Sequence, residues 1–324
     1  MKPGQFPAVS VIAPVLNEAD HLTGAVAAVL EQEYSGEIEL ILALGPSHDA
    51  TNEIAEKLAA ADSRIHLIDN PTGRTANALN LAIKKSKFDY IVRIDGHSEI
   101  DSQYIARAIA TLFDKGAVNV GGVMAAEGKT NFQKAVARAM RSFLGVGNSR
   151  FHIGGGAAEV DTVYLGVFKK SAILAIGGFD ERFTRAQDWE LNFRLRKNGG
   201  KIWFNPELKV VYRPRKNLRQ LSKQYFEYGR WRRAVSRQHQ GTINLRYLAP
   251  PLALIISFLS IALALLLSWH FIAPVFLYLL LIKIGAVALG KSWSERALLP
   301  LVIATMHFSW GLGFLTSPRS LLKT

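Results

Sequence analysis

The stretch RIHLIDNPTGRTANALNLAIKKSKFDYIVRID, residues 64–95, holds two apolar runs on either side of an amphipathic one. The apolar runs, RIHLID and YIVRID, have the length and composition of buried strands. The intervening TANALNLAIKKS is typical of a helix. The stretch therefore predicts a strand, a helix and a second strand, which is the repeating unit of a parallel sheet covered by helices.

The same alternation begins nearer the amino end. AVSVIAPV and IELILAL are apolar strand runs, and HDATNEIAEKLAAA between the second and third strands is typical of a helix. Repeated units at this spacing predict an α/β fold, with a mainly parallel sheet flanked by helices on both faces. In such sheets ligands bind beyond the carboxyl ends of the strands, so polar residues at those ends are the candidate site residues.

Composition narrows the choice of partners. The 324 residues include 39 Lys+Arg and 26 Asp+Glu, a net charge of +13, and no cysteine. The charge is compatible with nucleic acid, a phosphate-bearing substrate or an anionic membrane surface. No nucleic-acid recognition motif accompanies it, so we expect no nucleic acid as a partner. The absence of cysteine excludes disulfides and thiolate metal sites.

The carboxyl-terminal part predicts a membrane region. Three apolar runs follow one another, LAPPLALIISFLSIALALLLSW, FIAPVFLYLLLIKIGAVALG and ALLPLVIATMHFSWGLGFL. The first is long enough to cross a bilayer. Eleven Lys/Arg and one acid stand between Lys209 and Arg246, which predicts that the soluble part is cytoplasmic on a multi-pass protein of a bacterial-type inner membrane. The third run either spans or lies re-entrant or interfacial, and the sequence leaves both open.

These features divide the chain into three predicted parts. Residues 1–215 are the α/β catalytic domain, residues 216–247 are a basic amphipathic segment at the membrane interface, and residues 248–324 are a transmembrane region with two to three segments.

Polar residues cluster where the predicted strands end and where two helices begin. PVLNE ends the first strand, Asp95-Gly96-His97 ends the fourth, and QDWELNFRLRK starts a late helix. The candidates for binding nucleotide or substrate are Pro14, Asn17, Glu18, Asp49, Arg74, Asp95 and Gln187. Asp49 either contacts the base or caps its helix, and Arg74 could face an anionic ligand at a helix amino end.

Taken in order, the motifs PVLNE, GRTANALN, IDGH, VDTVYLGVFKK, GGFDERF and QDWELNFRLR resemble those of a known family. Residues 8 to about 240 resemble a family 2 glycosyltransferase of the GT-A fold, and most of all the branch that builds succinoglycan-type exopolysaccharides. The resemblance implies inverting transfer of a sugar from a nucleotide donor to an acceptor hydroxyl, with a divalent metal, Mn²⁺ or Mg²⁺, as cofactor.

The chemistry of such a transfer explains the acidic positions. A cation that bridges the departing diphosphate neutralises its developing charge, and we predict Asp95 and His97 as its protein ligands. His97 stands where the family usually has a second aspartate, and the alternative is that it only caps the following helix. Asp188 is the predicted general base, since the acid of the family's corresponding pair has that role. The alternative for Asp188 is a helix N-cap.

The segment EYGRWRR, residues 227–233, resembles the Gln-x-x-Arg-Trp signature of related synthases. The resemblance implies that Arg230 contacts the donor diphosphate and that Trp231 stacks on an acceptor sugar. The alternative is that both are interfacial anchors beside anionic membrane lipids.

The sequence indicates the donor nucleotide and the acceptor less directly than it indicates the family. Leu44 and Gly45 stand where many relatives have acids that read uracil, so a UDP-sugar is the prediction and GDP or another nucleotide stays open. A membrane-held site predicts a lipid-linked or polyprenyl acceptor. The alternatives are a polyprenyl-phosphate sugar synthase and a non-catalytic membrane scaffold that keeps the fold.

Overall fold

The computed structural model describes residues 6–322 and divides them into two compact units. The first unit comprises residues 6–125 and Gly154–Tyr212, and the second comprises Ala126–Ile153 and residues 213–322. The second unit therefore combines a segment from the middle of the chain with everything that follows the last strand.

A nine-stranded sheet lies in the described part of the chain, in the order β3-β2-β1-β4-β8-β6-β9-β5, with β7 also paired to β9. The strands are β1 (Val9–Val15), β2 (Ile38–Leu44), β3 (Ile65–Asp69), β4 (Tyr90–Arg93), β5 (Glu99–Ile100), β6 (Asn119–Ala126), β7 (Ala158–Glu159), β8 (Tyr164–Lys169) and β9 (Ile202–Tyr212).

The sheet is mixed rather than mainly parallel throughout. β1 is parallel to both β2 and β4, and β2 is parallel to β3. Beyond β4 the pairings of β8 with β4 and β6, and of β9 with β5 and β7, are antiparallel. The predicted parallel pairing thus holds among the first four strands. The repeated strand–helix alternation that predicts parallel pairing is confined to that part of the sequence.

The helices are α1 (Leu22–Leu30), α2 (Thr51–Ala61), α3 (Thr75–Lys85), α4 (Tyr104–Asp114), α5 (Asn131–Met140), α6 (Phe143–Val146), α7 (Arg150–Ile153), α8 (Lys170–Ala175), α9 (Gln187–Lys197), α10 (Leu218–Gln238), α11 (Leu245–Leu266), α12 (Ala273–Leu289) and α13 (Trp293–Thr316). Two short 3₁₀ helices, Trp269–Ile272 and Arg319–Leu322, follow α11 and α13.

The core of the first unit lies around the parallel strands. Every residue of β2 is buried, and Val11 and Val92 on the neighbouring strands have no exposed surface. A strand covered on both faces needs apolar residues on both, which is why IELILAL is a nearly continuous apolar run. The buried core determines where the strands end, and the candidate site residues lie at those ends.

The second unit contains three helices that are long and apolar enough to cross a membrane, by length and composition. They are Leu245–Leu266, Trp269–Leu289 and Trp293–Thr316. The first two bury 11% of their apolar windows within the protein, whereas the third buries 39%. The amphipathic α10, which precedes them, carries six Lys/Arg against one acid. Its N-cap is Asn217, whose side chain accepts from the backbone N–H of Gln220 at 2.9 Å.

Candidate active site

The ends of β1 and β4 form the centre of the site. These strands are parallel neighbours, so the residues that follow them emerge at the same edge of the sheet. Gly96 packs against Glu18 so closely that a Cβ at position 96 would lie 2.9 Å from Glu18 Cγ. Glycine at position 96 therefore allows the PVLNE and IDGH motifs to meet.

Glu18 orients His97. His97 Nδ1 lies 2.7 Å from Glu18 Oε1, and the two side chains are 40% and 18% exposed. An ionised carboxylate can only accept, so Nδ1 carries the proton in this bond. In the neutral ring the lone pair is then on Nε2, which is the arrangement that carboxylates impose on metal-binding histidines.

Asp95 lies two residues beyond the end of β4. Its backbone N–H donates to Ser98 Oγ at 2.8 Å, and its Oδ1 accepts from Arg93 Nη2 at 3.2 Å. Within residues 6–322 no hydrogen bond to Asp95 Oδ2 is found, and the side chain is 22% exposed. One carboxylate oxygen is therefore held by Arg93, and the other has no hydrogen-bond partner among residues 6–322.

Arg93 joins the two acids that the sequence singled out separately. It is 3% exposed, and its guanidinium donates to Asp188 as well as to Asp95. Arg93 is not among the residues that the sequence motifs single out. The available signal was a cation inside the otherwise apolar run YIVRID, because a buried charge requires a partner.

Electrostatics of this trio follow from burial. Burial raises the pKa of Asp188, with Arg93 opposing that shift and the negative charge of Asp95 adding to it. Burial alone would lower the pKa of Arg93, but Asp188 and Asp95 raise it. Arg93 thus stays charged, and Asp188 is a stronger base than an ordinary aspartate.

Asp188 lies in the first turn of α9, and both capping alternatives are wrong. The N-cap of α9 is Ala186, and the next helix after His97, α4, has Gln103 as its N-cap. Ala186 has a φ of 61° and Asn17 a φ of 55°. Left-handed backbone therefore occurs two residues before Asp188 and directly before Glu18. Such conformations cost energy in non-glycine residues and recur at functional sites.

The GRTANALN and GGFDERF motifs support each other. Asn80 on α3 accepts from the backbone of Phe179 at 2.8 Å and donates to its carbonyl at 2.9 Å. Glu181 accepts from Asn80 at 2.9 Å and also from Asn77. Gly178, with a φ of 78°, leaves no room for a Cβ because Asn80 Oδ1 would be 2.7 Å away. These contacts hold the loop that leads into α9.

The loop after β2 is tied to the loop after β1. Asn17 Oδ1 accepts from the backbone of His48 at 2.8 Å, and Glu18 N–H donates to Thr51 Oγ1 at 2.7 Å. Asp49 accepts from the backbone of Thr51 at 3.1 Å and of Ala19 at 3.3 Å. Although Ala50 is the N-cap of α2, the Asp49 carboxylate satisfies the first-turn N–H, and hydrogen bonding to Thr51 lowers its pKa.

The remaining candidates occupy three kinds of position. Pro14 lies within β1, exposed Arg74 is the N-cap of α3, and Gln187 opens α9. Arg230 and Trp231 lie on α10 in the second unit, where Arg230 pairs with Glu227 at 2.7 Å and Trp231 is 4% exposed. All of these roles stay predictions.

The described residues contain no complete set of metal ligands. Among residues 6–322, no group of three or more His, Asp and Glu side chains is arranged to hold a metal ion. Asp95 and His97 offer one carboxylate oxygen and one ring nitrogen, the kinds of ligand that a divalent cation accepts, and their metal role stays a prediction.

Comparison with known proteins places this chain in a family. The structure aligns with the mannosyltransferase PcManGT from Pyrobaculum calidifontis, a complex with GDP-Man and Mn²⁺, at a TM-score of 0.59 and 18% identity over 97% of this chain and 88% of that one. The fold is thus GT-A, as predicted. Residues 10–174 match the model of glycosyl transferase family 2.

Two curated relatives extend over nearly the whole chain. Succinoglycan biosynthesis protein ExoA of Rhizobium meliloti (strain 1021) is 32% identical over 94% of this chain and 93% of its own length. A dolichyl N-acetyl-alpha-D-glucosaminyl phosphate 3-beta-D-2,3-diacetamido-2,3-dideoxy-beta-D-glucuronosyltransferase of Methanococcus voltae is 25% identical over 94% and 95%. The chain belongs to glycosyl transferase family 2, and the predicted resemblance is confirmed.

Proposed function

We propose that the protein is a membrane-bound inverting glycosyltransferase. It moves a sugar, predicted to be a hexose carried by UDP, to a lipid-linked acceptor in exopolysaccharide or cell-envelope glycan synthesis. The observation that carries this proposal is the pair of carboxylates, Asp95 and Asp188, held by one buried arginine at the carboxyl edge of the sheet. A structural ion pair with one arginine needs a single carboxylate. The proposed transfer needs two, one to hold the donor's cation and one to take the proton of the acceptor hydroxyl.

Asp95 and His97 are the donor side of this arrangement. The free oxygen of Asp95 and Nε2 of His97 would hold a divalent cation, which would neutralise charge on the departing diphosphate. PcManGT, the structural relative described above, was captured with GDP-Man and Mn²⁺, which supports a cation-bridged diphosphate in this fold. Imidazole is a borderline ligand, so Mn²⁺ should serve at least as well as Mg²⁺.

Asp188 is the acceptor side. Its Oδ1 accepts from Arg93, which fixes the carboxylate plane and leaves Oδ2 to take the proton of the acceptor hydroxyl. The deprotonated hydroxyl then attacks the anomeric carbon from the face opposite the diphosphate, which inverts that centre. Arg93 is a positioning residue in this scheme, because it acts through Asp188 and Asp95.

The second unit contains a basic cluster of its own. Arg237 lies near two other arginines, Arg233 and Arg319. Its burial, and to a lesser extent their positive charges, lower the pKa of Arg237. Such a cluster favours anionic lipid headgroups. The Methanococcus relative is named for a dolichyl-phosphate-linked substrate, which supports a lipid-linked acceptor here. The contacts of Arg230 with diphosphate and of Trp231 with an acceptor sugar stay predictions from the family resemblance.

The same features support a location. We place residues 1–215 in the cytoplasm as the catalytic domain, residues 216–247 at the membrane interface and the apolar helices in the inner membrane. The concentration of Lys/Arg before α11 supports this orientation.

Calorimetric titration of the purified protein with UDP and with GDP, each with and without Mn²⁺, tests the donor side. We expect UDP to bind tightly only when Mn²⁺ is present. The His97→Ala variant should lose this Mn²⁺-dependent binding. Binding of UDP that ignores both metal and mutation would leave a transferase but remove the metal role of Asp95 and His97. A preference for GDP would replace the donor, and failure to bind either nucleotide would favour the non-catalytic scaffold.

Glu18 gives a sharper test of the metal corner. Replacing Glu18 by alanine should weaken Mn²⁺ binding about 10- to 100-fold, because second-shell carboxylates contribute that much to metal affinity. Glu18→Gln, which retains an acceptor for Nδ1–H, should fall between wild type and alanine. Mn²⁺ binding followed by electron paramagnetic resonance provides the readout, and Glu31→Ala, at the exposed C-cap of α1, is the control. Equal affinity in all variants would contradict the proposed orientation of His97.

The acceptor distinguishes the main proposal from its nearest alternative. Transfer to a polyprenyl-diphosphate glycan, with none to bare polyprenyl phosphate, is the expected result. The reverse preference would make the protein a polyprenyl-phosphate sugar synthase.

A further inference from the structure

The inward face of α9 carries two polar residues among its leucines. Leu191 and Leu195 are buried, and so is Asn192, which is 1% exposed. Asp188 lies one helical turn before Asn192, so the two side chains project from the same side of α9. The predicted base and a buried amide therefore share one face of the same helix.

Asn192 is held by residues of two other segments. Its Oδ1 accepts from Asn119 Nδ2 at 2.7 Å, and its Nδ2 donates to Thr162 Oγ1 at 2.9 Å. Asn119 is the first residue of β6, and Thr162 lies two residues before β8. A buried amide is tolerated only where its hydrogen bonds are made. A shift or a rotation of α9 would therefore leave these three polar side chains buried without their partners.

The backbone at the start of β8 makes room for this network. A Cβ on Gly166 would lie 2.6 Å from Asn119 Oδ1, so only glycine fits beside that amide. Leu165, the preceding residue, has a φ of 55° although its side chain is fully buried. Left-handed backbone is costly for leucine and persists only where the surrounding structure enforces it. The VDTVYLG segment, residues 160–166, is thus shaped around the amide of Asn119 and supplies Thr162.

The same part of the sheet holds Asp188. Gly166 is the cross-strand partner of Arg93, whose guanidinium donates to Asp188. One face of α9 is therefore attached to the sheet at two points a helical turn apart, through Asp188 and through Asn192. A single attachment would let the helix pivot, whereas two fix both its rotation and its height.

The opposite side of α9 has a different attachment. Arg194 donates to the carbonyls of Ile176 at 2.7 Å and Gly178 at 2.8 Å. At 100° per residue, Arg194 lies on the side of the helix away from Asp188 and Asn192. It joins α9 to the loop that precedes it, so the position of the inward face over the sheet depends on the other two residues.

We propose that Asn192 is a positioning residue that fixes α9 over the sheet, with Asn119 and Thr162 as its partners, so that Asp188 meets Arg93. Asn192 acts through Asp188 and not on the substrate. The inference rests on the proposed role of Asp188 as the base. The experiment therefore measures the place of α9 separately from the transfer of sugar.

Two threonines form a matched pair of substitutions. Thr162→Val removes one bond of the network with little change in side-chain size, and Thr162→Ser retains the hydroxyl. Thr111→Val is the control, because Thr111 Oγ1 accepts from Asn205 Nδ2 at the same distance, 2.9 Å, between α4 and β9. Asn192→Leu removes both bonds of the amide.

Initial rates over a range of donor concentrations give kcat and KM, with kcat expressed per nucleotide-binding site so that unfolded protein does not count. Asn192→Leu should lower kcat about 100-fold, which is the effect of displacing a reacting group by about 1 Å. The KM for the donor should stay unchanged, because Asp95 and His97 do not lie on α9. Thr162→Val should lower kcat less, Thr162→Ser should restore it, and Thr111→Val should leave it unchanged.

The place of α9 is measured by the distance between two spin labels. Because the chain has no cysteine, Lys84→Cys on α3 and Lys197→Cys at the end of α9 label two exposed positions uniquely. Double electron–electron resonance should give a shifted or broader distance distribution in Asn192→Leu, whereas Thr111→Val should match the protein that carries the two labels alone.

An unchanged distance distribution in Asn192→Leu would overturn the proposal, whether or not kcat falls. A shifted distribution with an unchanged kcat would overturn it as well, because the place of α9 would then not affect transfer. Absence of transfer by the wild-type protein would instead contradict the proposed function. In that case the distance between positions 84 and 197 would still show whether Asn192 holds α9 in place.

Discussion

Replacing Asp188 by asparagine should remove sugar transfer while leaving nucleotide binding nearly unchanged. The amide keeps the size of the side chain and can still accept from Arg93, but it cannot take the proton of the acceptor hydroxyl. General bases contribute about 10²- to 10⁴-fold to rate, so we expect a fall of that size in the transfer rate. Initial rates with saturating donor, together with calorimetric titration of the nucleotide, measure the two effects.

A matched control is available in the same unit. Asp62 also pairs with an arginine, Arg64, at 2.7 Å, but at the turn between α2 and β3. Asp62→Asn should transfer sugar at the wild-type rate. If Asp188→Asn loses nucleotide binding as completely as transfer, Asp188 has a structural role and the assignment of the base is wrong.

Replacing Arg93 by methionine should be nearly as damaging, although Arg93 contacts neither the sugar nor the acceptor in the proposed scheme. Removal of the guanidinium leaves Asp95 and Asp188 facing each other without their shared cation. Breaking a buried pair costs about 3–5 kcal/mol, and the low end applies here because the two carboxylates are 22% and 29% exposed. Displacement of the base by about 1 Å lowers the rate about 10²-fold.

The pH profile separates positioning from mere loss of stability. The base works deprotonated, so kcat/KM falls as pH drops through the pKa of Asp188. Arg93 lowers that pKa, and its removal should therefore move the acid limb to higher pH. Arg93→Lys should restore part of both rate and profile, and Arg107→Met, which breaks the exposed pair with Asp101, should change neither. An unshifted acid limb in Arg93→Met would contradict the positioning role.

Much of the fold was predictable because it depends on local patterns. The runs AVSVIAPV, IELILAL and RIHLID correspond to β1, β2 and β3, and TANALNLAIKKS corresponds to α3. A helix between two strands returns the chain to the edge where the first strand began, which favours parallel pairing of those strands. The antiparallel half of the sheet was not predicted. The segment between β6 and β8 is long, and neither its length nor its composition indicates that these two strands pair.

The identity of the candidate site residues was predictable from the sequence, but the contacts between them were not. Asp95, His97 and Asp188 all follow from their positions at element ends and from the family motifs. That Glu18 bonds His97, and that Asn80 holds the loop before α9, depends on contacts between residues far apart in sequence. A single sequence specifies which groups are present at each strand end, but not which of them face one another.

By itself, the sequence determined the strand–helix order, the family, the acidic corners and the apolar carboxyl-terminal part, because each depends on spacing within a short window or on ordered motifs. Only the tertiary structure decided that Arg93 bridges Asp95 and Asp188, and that the second half of α13 contacts Tyr278 of α12 and Tyr247 of α11. Hydropathy depends on the residues of one helix alone, whereas the place of a helix in a membrane depends on the neighbours it packs against.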